Sequence, residues 1–398
     1  MLESSAMRDI VPFLLRAYNV AKITDIPTIH KVNFLCKLMD LSNSDFDSVL
    51  SDNPPVFRTV KGHVFESYFD ELLILNGYIS QEVGGDTSID RIVNNYSLQL
   101  KTPYEAGTKG NIIQYKCHKT HGAKSEQESV SYYHSLEEFP DYLIGLISYN
   151  PQRILILKKT ELPLVNTTEG EYISSPFKVD LSLTNGINAF SRLGITIDPT
   201  SSLELQPNNS EPLPKTAWKC GVTTEVIINT ILNVNNFRMW DMAIKGFARE
   251  YSFKSYCYNQ GILLEDPRVT GRLRYDKADF VIRSGLSYIF LQMKGVSINN
   301  CKLDIDDPII ATETQLTRGR VNDHPTQSRL YLASDFDYLI IALDPIIAHQ
   351  CNKLGEQDPL MWEYYKIPTS LLSRHHIHSN RLSSLQRFTY SSLQHYRM

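Results

Sequence analysis

The sequence predicts an α/β protein built from two tandem copies of one unit. Three observations carry that expectation: the length of 398 residues, a Pro-, Ser- and Asn-rich stretch near the midpoint, and a series of landmarks that occurs in the same order on both sides of it. At this length a single hydrophobic core has usually stopped growing and chains divide into domains. Residues 196–215, TIDPTSSLELQPNNSEPLPK, have the composition of a linker. The expected division is 1–200, with N-terminal helices and a core at about 60–165, and 216–398, with a core at about 245–370 and a basic tail.

Composition narrows the class. Hydrophobic residues at 42% and charged residues at 21% are ordinary for a globular protein. No uninterrupted apolar run approaches the roughly 18 residues of a membrane span, so no membrane association is expected. Glu3 and the lack of a basic first segment argue against a signal peptide. The six cysteines are scattered with no CxxC pair, which suits a reducing, cytoplasmic setting better than a disulfide framework or structural zinc. A net charge of -4 neither announces nor excludes a nucleic-acid partner, because a local basic face is what matters. Basic clusters occur at 101–124, at 266–277 and along the tail, where Arg374, Arg381, Arg387 and Arg397 follow the last acidic residue, Glu363. Solvated loops would look the same.

The first ~55 residues read as helices. Ile10, Phe13, Leu14 and Val20 mark one segment; Ile29, Val32, Cys36 and Met39 mark a second, beginning near Asp25–Pro27. Packing elements are the expectation for this pair. Lys61-Gly62 then opens a helical pattern with Phe65, Phe69, Leu72 and Leu73, ending at Asn76-Gly77. Lys245-Gly246 opens the second copy, with Phe247, Tyr251 and Cys257, ending at Gln260-Gly261. In the same ungapped register Glu66 matches Glu250 and Phe69 matches Phe253, and glycine follows each helix where a C-cap places it. Further on, Asp141-Tyr142-Leu143-Ile144 recurs as Asp337-Tyr338-Leu339-Ile340.

Between helix and DYLI lies a hairpin in each half. In SIDRIVNNYSLQLKTP, Ile92 and Val93 lead to an Asn94-Asn95 turn and a returning strand from Ser97 to Lys101. Alternation puts Leu98 and Leu100 on one face and Gln99 and Lys101 on the other, with Asp90 opposite the polar pair. In KADFVIRSGLSYIFLQMKG, Phe280 to Ile282 lead to a Ser284-Gly285 turn and a return from Tyr288 to Lys294, with Asp279 in the place of Asp90 and Gln292 and Lys294 in the places of Gln99 and Lys101.

Such a set suits a hard divalent cation, which takes oxygen ligands. Asp90 would supply charge, and Gln99 and the Leu100 carbonyl neutral oxygens; Asp279, Gln292 and the Met293 carbonyl would do the same in the second half. A metal there polarises a phosphate and lowers the pKa of a bound water. Lys101 and Lys294 could orient that water or stabilise developing charge. Glu66 and Glu250 are candidate second carboxylates. Other motifs carry less: Arg374-His375-His376-Ile377-His378 lacks Cys or acidic partners at metal spacing, and Asp304, Asp306 and Asp307 lack the glycine and terminal Glu of an EF-hand.

Helix-borne Glu, Asp, hairpin and Gln-x-Lys together resemble the PD-(D/E)xK nuclease core, which includes many restriction endonucleases. Both halves depart from its commonest form: Ile89 and Ala278 stand where Pro often precedes the Asp, and Gln replaces the second acid. The resemblance implies two tandem cores, each a mixed sheet flanked by helices and related by pseudo-two-fold symmetry. It implies a metal-dependent, type II restriction-like endodeoxyribonuclease using Mg2+, with Mn2+ as a substitute. Asp90, Gln99, Lys101, Asp279, Gln292 and Lys294 would be its catalytic residues, with one active site per strand of double-stranded DNA. A single chain would then act as a pseudo-dimer. Lys119, Lys124, Arg272, Arg274, Arg318 and Arg320 are the candidate DNA contacts. The alternatives are a modification-dependent or repair endonuclease, or a DNA-binding module on decayed nuclease cores.

Overall fold

The computed structural model describes residues 26–83, 87–104, 107–117, 133–168, 170–198, 205–233, 236, 239–270, 277–315, 330–355 and 358–398. Its described residues form two units, one of Phe57–Ile231 and the other joining the residues up to Val56 to Leu232–Met398. Both are α/β, each with a mixed five-stranded sheet and flanking helices.

The described residues begin with α1 (Thr28–Met39), which buries Val32, Cys36 and Met39 of the expected stripe with Leu35 beside them, while Ile29 is exposed. In α2 (Asn43–Ser51) the Ser42 hydroxyl accepts the Asp45 N–H at 3.1 Å, satisfying one of the helix's open donors. These two helices were expected with the first core and instead pack in the unit of the second. The Trp362 indole donates to the Met39 carbonyl at 2.7 Å, and the Tyr251 hydroxyl donates to Asp45 at 2.6 Å. The expected segment from Ile10 to Val20 lies outside the described residues.

α3 (Pro54–Leu75) starts seven residues before the expected Lys61-Gly62 and buries Val60, Val64, Phe65, Tyr68, Phe69, Leu72 and Leu73. It ends as expected. Gly77 adopts φ 79, its N–H bonds the Ile74 carbonyl at 3.0 Å, and the Tyr78 N–H reaches back to Leu73 at 2.9 Å. The sheet of this unit has β1 (Gln81–Glu82), β2 (Arg91–Val93), β3 (Tyr96–Lys101), β5 (Tyr142–Ser148) and β6 (Arg153–Lys158) in that order. All neighbours are antiparallel except β3 and β5, which run parallel. Asn94 and Asn95, at φ 48 and 67, form the predicted tight turn; both central residues of a type I′ turn need positive φ. Outside the sheet, β4 (Ile112–Tyr115) pairs with β9 (Phe177–Asp180), and β7 (Leu164–Thr167) with β8 (Gly170–Ile173).

The described residues of the 196–215 stretch, 196–198 and 205–215, differ from the linker expectation. The N–H groups of Thr196 and Asp198 donate to Tyr78 and Asn76 at 3.0 and 2.8 Å, and Leu205 and Leu213 are buried. α4 (Pro214–Cys220) and most of α5 (Thr224–Leu232) follow in the same unit, so the chain leaves it only after Ile231.

In the other unit α6 (Lys245–Asn259) closes with the same cap: Gly261 at φ 71, its N–H on Tyr258, and the Ile262 N–H on Cys257 at 2.8 Å. Then come β10 (Leu264–Glu265), β11 (Phe280–Ser284) and β12 (Ser287–Gly295), with β14 (Tyr338–Leu343) and β15 (Glu363–Pro368) completing the sheet in that order. Again only the central pair, β12 and β14, is parallel. β13 (Ile309–Glu313) pairs outside the sheet with β16 (Leu385–Thr389). The hairpin turn is centred on Gly285-Leu286, one residue later than expected, because Ser284 pairs with Ser287 and Gly285 takes the positive φ of 59 that a type II′ turn requires.

α7 (Pro345–Cys351) is capped by Asp344, whose carboxylate accepts the Ile346 and Ile347 N–H groups at 3.0 Å. Lys245 neutralises that buried carboxylate at 2.7 Å and also meets Asp241 at 3.1 Å. The chain ends through α8 (Tyr390–Leu393). The basic tail is in part structural: Arg397 pairs with buried Glu363 at 2.8 Å, and Arg381 donates to the Leu330 carbonyl at 2.7 Å.

Candidate active site

The two Gln-x-Lys strands, β3 and β12, are the middle strands of their sheets. Gln99 pairs with Leu143 of the DYLI strand and Gln292 with Leu339, the same register in both units. The aspartates are held alike. The N–H groups of Asp90 and Asp279 donate to Leu98 and Leu291 at 2.9 Å, and Oδ2 of each accepts the N–H of the residue between Gln and Lys, Leu100 at 2.7 Å and Met293 at 2.8 Å. Backbone bonds of this kind set the carboxylate beside the polar face of the strand, as the alternation predicted.

In the first centre Lys101 Nζ stands 3.8 Å from Asp90 Oδ2. Burial pushes the Asp90 carboxyl above its usual range, with Glu66 adding to that and Lys101 opposing it. Gln99 is buried, and its Nε2 donates to the Ser88 carbonyl at 3.2 Å. A carbonyl only accepts, so the amide must present its NH2 there and turn Oε1 the other way. That Oε1 is buried and has no hydrogen-bond partner among the described residues. A buried, unmatched acceptor costs about 1–3 kcal/mol, and a cation is one partner that would satisfy it. Glu66 is not a free second carboxylate: it lies 3.6 Å from Arg91 and 3.6 Å from His63. Burial would raise its pKa, but His63, Arg91 and Lys101 outweigh burial and hold it below the usual range. Arg91 is itself bound by Asp70 at 3.0–3.1 Å through Nε and Nη2.

The second centre has the same backbone and different side-chain bonds. Gln292 Nε2 donates to Asp279 Oδ2 at 2.7 Å and to the Met293 carbonyl at 3.3 Å. Both partners are acceptors, so the amide again must present NH2, here to the carboxylate that should bind a metal. Lys294 Nζ donates to the Gln315 carbonyl at 3.3 Å and lies 5.2 Å from the Tyr331 ring centroid. Burial lowers the Lys294 pKa, with Asp279 opposing and Arg249 adding to the fall. Burial raises Asp279 against the Met293 N–H, Lys294 and Arg249; it raises Glu250 too, with Asp279 reinforcing. A cleft of about 960 Å³ opens beside this centre, with Glu250, Lys254, Tyr258, Arg268 and Asp279 in its wall.

The described residues contain no group of three or more His, Cys, Asp or Glu side chains placed to hold a metal ion. The residues of the first centre could still fit one, through Asp90 and the open Gln99 Oε1. Those of the second fit it less well, because the Gln292 Nε2 donates to both Asp279 Oδ2 and the Met293 carbonyl, two of the oxygens the ion would need. Lys119, Lys124, Arg272, Arg274, Arg318 and Arg320 all lie outside the described residues. Arg91 with Asp70, and Arg249, were missed by the sequence reading. Arg249 left a signal, since the ungapped helix register sets it against Phe65, a charge where the other copy has core. No helix among the described residues is long and apolar enough to cross a membrane. Comparison with known protein families, with curated proteins and with solved structures gives no match.

Proposed function

We propose that this protein is a metal-dependent DNA endonuclease built from two PD-(D/E)xK-type cores in one chain. The observation that carries the reading is the matched pair of centres. Twice, an Asp held by the strand's own backbone faces a Gln-x-Lys on the middle strand of a five-stranded mixed sheet, in one register against a DYLI strand. A surface hairpin with incidental polar residues has no reason to repeat that arrangement down to the hydrogen bond.

In the first centre Asp90 and Gln99 Oε1 would hold Mg2+. When bound, the ion polarises a scissile phosphate and acidifies a water. Lys101, beside Asp90, would position the attacking water or neutralise charge developing on phosphate oxygen. Glu66 would act through its charge, with Arg91 limiting it. Double-stranded DNA is the substrate class, and the symmetric form of the reading sets one centre against each strand, as in a restriction endonuclease.

The test is supercoiled plasmid and unmodified genomic DNA incubated with Mg2+, Mn2+, Ca2+ or excess EDTA. Mg2+ and Mn2+ should give nicked or linear products, Ca2+ binding with little turnover, and EDTA none. Full cleavage in EDTA rules the mechanism out. Sequencing the fragment ends reads the recognition site.

A further inference from the structure

The two centres share a backbone and differ in how a buried guanidinium is held: Arg91 in the first is bound by Asp70 and lies 3.6 Å from Glu66, and Arg249 in the second is not so bound. Arg249 lies on α6 one residue before Glu250, where the ungapped sequence register has Phe65 in the first unit. Its guanidinium reaches β12 just past Lys294. A Cβ on Gly295 would lie 2.1 Å from Arg249 Nη1, so the glycine leaves the room that the guanidinium occupies; the corresponding residue after Lys101 is Thr102. Arg249 Nε is buried with no hydrogen-bond partner among the described residues, and the guanidinium acts electrostatically on Asp279, Glu250 and Lys294. Meanwhile Gln292 Nε2 occupies Asp279 Oδ2 at 2.7 Å and the Met293 carbonyl at 3.3 Å. Asp279 Oδ2 and the Met293 carbonyl, two of the oxygens a metal would need, thus both hold the Gln292 amide NH2, and the Arg249 guanidinium lies against Gly295 just past Lys294.

We infer that the second centre takes no divalent metal: the Arg249 guanidinium, seated on Gly295, supplies the positive charge there, and only the Asp90–Gln99 centre binds an ion. Burial pulls the Arg249 pKa down, with Glu250 and Asp279 opposing, and a guanidinium that stays charged near those carboxylates weakens the electrostatic reason for a metal to enter. An added divalent ion would have to displace the Gln292 amide and sit against a like charge in a low-dielectric setting. The protein would then hold one hydrolytic centre and one metal-free centre.

This inference rests on the nuclease reading, and Mn2+ counting separates the two. Mn2+ is titrated into the full chain and free ion followed by electron paramagnetic resonance, with no DNA and no turnover involved. The expected result is one ion per chain, lost in Asp90→Asn and retained in Asp279→Asn. Arg249→Met, which keeps length and removes charge, should raise the count to two. Two ions in the wild type, one lost with each Asp variant, overturn the inference and leave the nuclease reading standing. One ion that follows Asp279 in place of Asp90 overturns it, as does an Arg249→Met chain that is folded by circular dichroism and still binds a single ion. No ion at millimolar Mn2+ overturns both. The wild-type count needs no variant, so a misfolded substitution cannot rescue the idea.

Discussion

Asp141 and Ser97 clasp each other. The Ser97 N–H and hydroxyl both donate to Asp141 Oδ2, at 2.9 and 2.8 Å, and the Asp141 N–H donates back to the Ser97 hydroxyl at 2.9 Å. In the second unit Asp337 Oδ2 accepts the Phe290 N–H at 2.8 Å, and the Asp337 N–H returns to the Phe290 carbonyl at 2.9 Å. Ser97 and Phe290 each lie two residues before the Gln. The leading Asp of DYLI therefore sets the register of the parallel central pair, and with it which way Gln and Lys face.

Removing that clasp should loosen the first sheet. Asp141→Ala is expected to cost about 2 kcal/mol, the worth of charge-assisted bonds at a half-buried site. Burial raises the Asp141 pKa, but the Ser97 bonds and Lys159 outweigh it and hold the folded value below the usual range. A depressed folded pKa gives stability that is complete above the unfolded value of about 3.9 and is lost as pH falls through the folded one. The gap in urea midpoint between wild type and Asp141→Ala should thus be full at pH 7 and shrink on acidification below about pH 4. A gap unchanged down to pH 2 would contradict the clasp as described.

Lys101→Ala should separate binding from chemistry. Asp90 and Gln99 remain, so DNA affinity in Ca2+ should stay within a few-fold while cleavage in Mg2+ falls by at least about 100-fold. Plasmid nicking and a filter-binding or polarisation assay read the two quantities. A loss of both in parallel would make Lys101 a binding residue only.

Gln99→Glu tests the open oxygen. It sets a second carboxylate beside buried Asp90 and sacrifices the donor to Ser88, so the metal-free protein should melt a few degrees lower. Mg2+ should then raise the melting temperature by more than it does in the wild type, since binding to the folded state stabilises in proportion to affinity. Scanning fluorimetry with and without Mg2+ decides it; an unchanged Mg2+ response would remove Gln99 from the metal site.

Lys245 should prove structural. It neutralises buried Asp344, which caps α7. Lys245→Met strands that charge and should cost about 3–5 kcal/mol, whereas Lys245→Met with Asp344→Asn should recover a large part of it by removing the stranded charge. Thermal melts of the single and double variants are the comparison, and equal losses in both would mean the pair is not coupled.

Much of each centre could be read from the chain because its causes are local. A period of two places Gln99 with Lys101 and Gln292 with Lys294, Asn94-Asn95 supplies the turn, and Gly77 and Gly261 end the helices; each depends on a few adjacent residues. The DYLI repeat was legible as a repeat, and its register-setting role became visible only with Ser97 and Phe290 opposite it. Other features were settled by partners far apart in the chain. The Trp362–Met39 and Tyr251–Asp45 bonds draw the first helices to the second unit, and contacts to Asn76 and Tyr78 turn the apparent linker into part of the first. Composition cannot encode either. The sharpest difference, the Gln99 NH2 on a backbone carbonyl and the Gln292 NH2 on the Asp279 carboxylate, arises from one residue type at one sequence position facing different neighbours. An amide turns to whichever acceptor is nearest, Ser88 in one unit and Asp279 in the other, and that distance exists only in three dimensions.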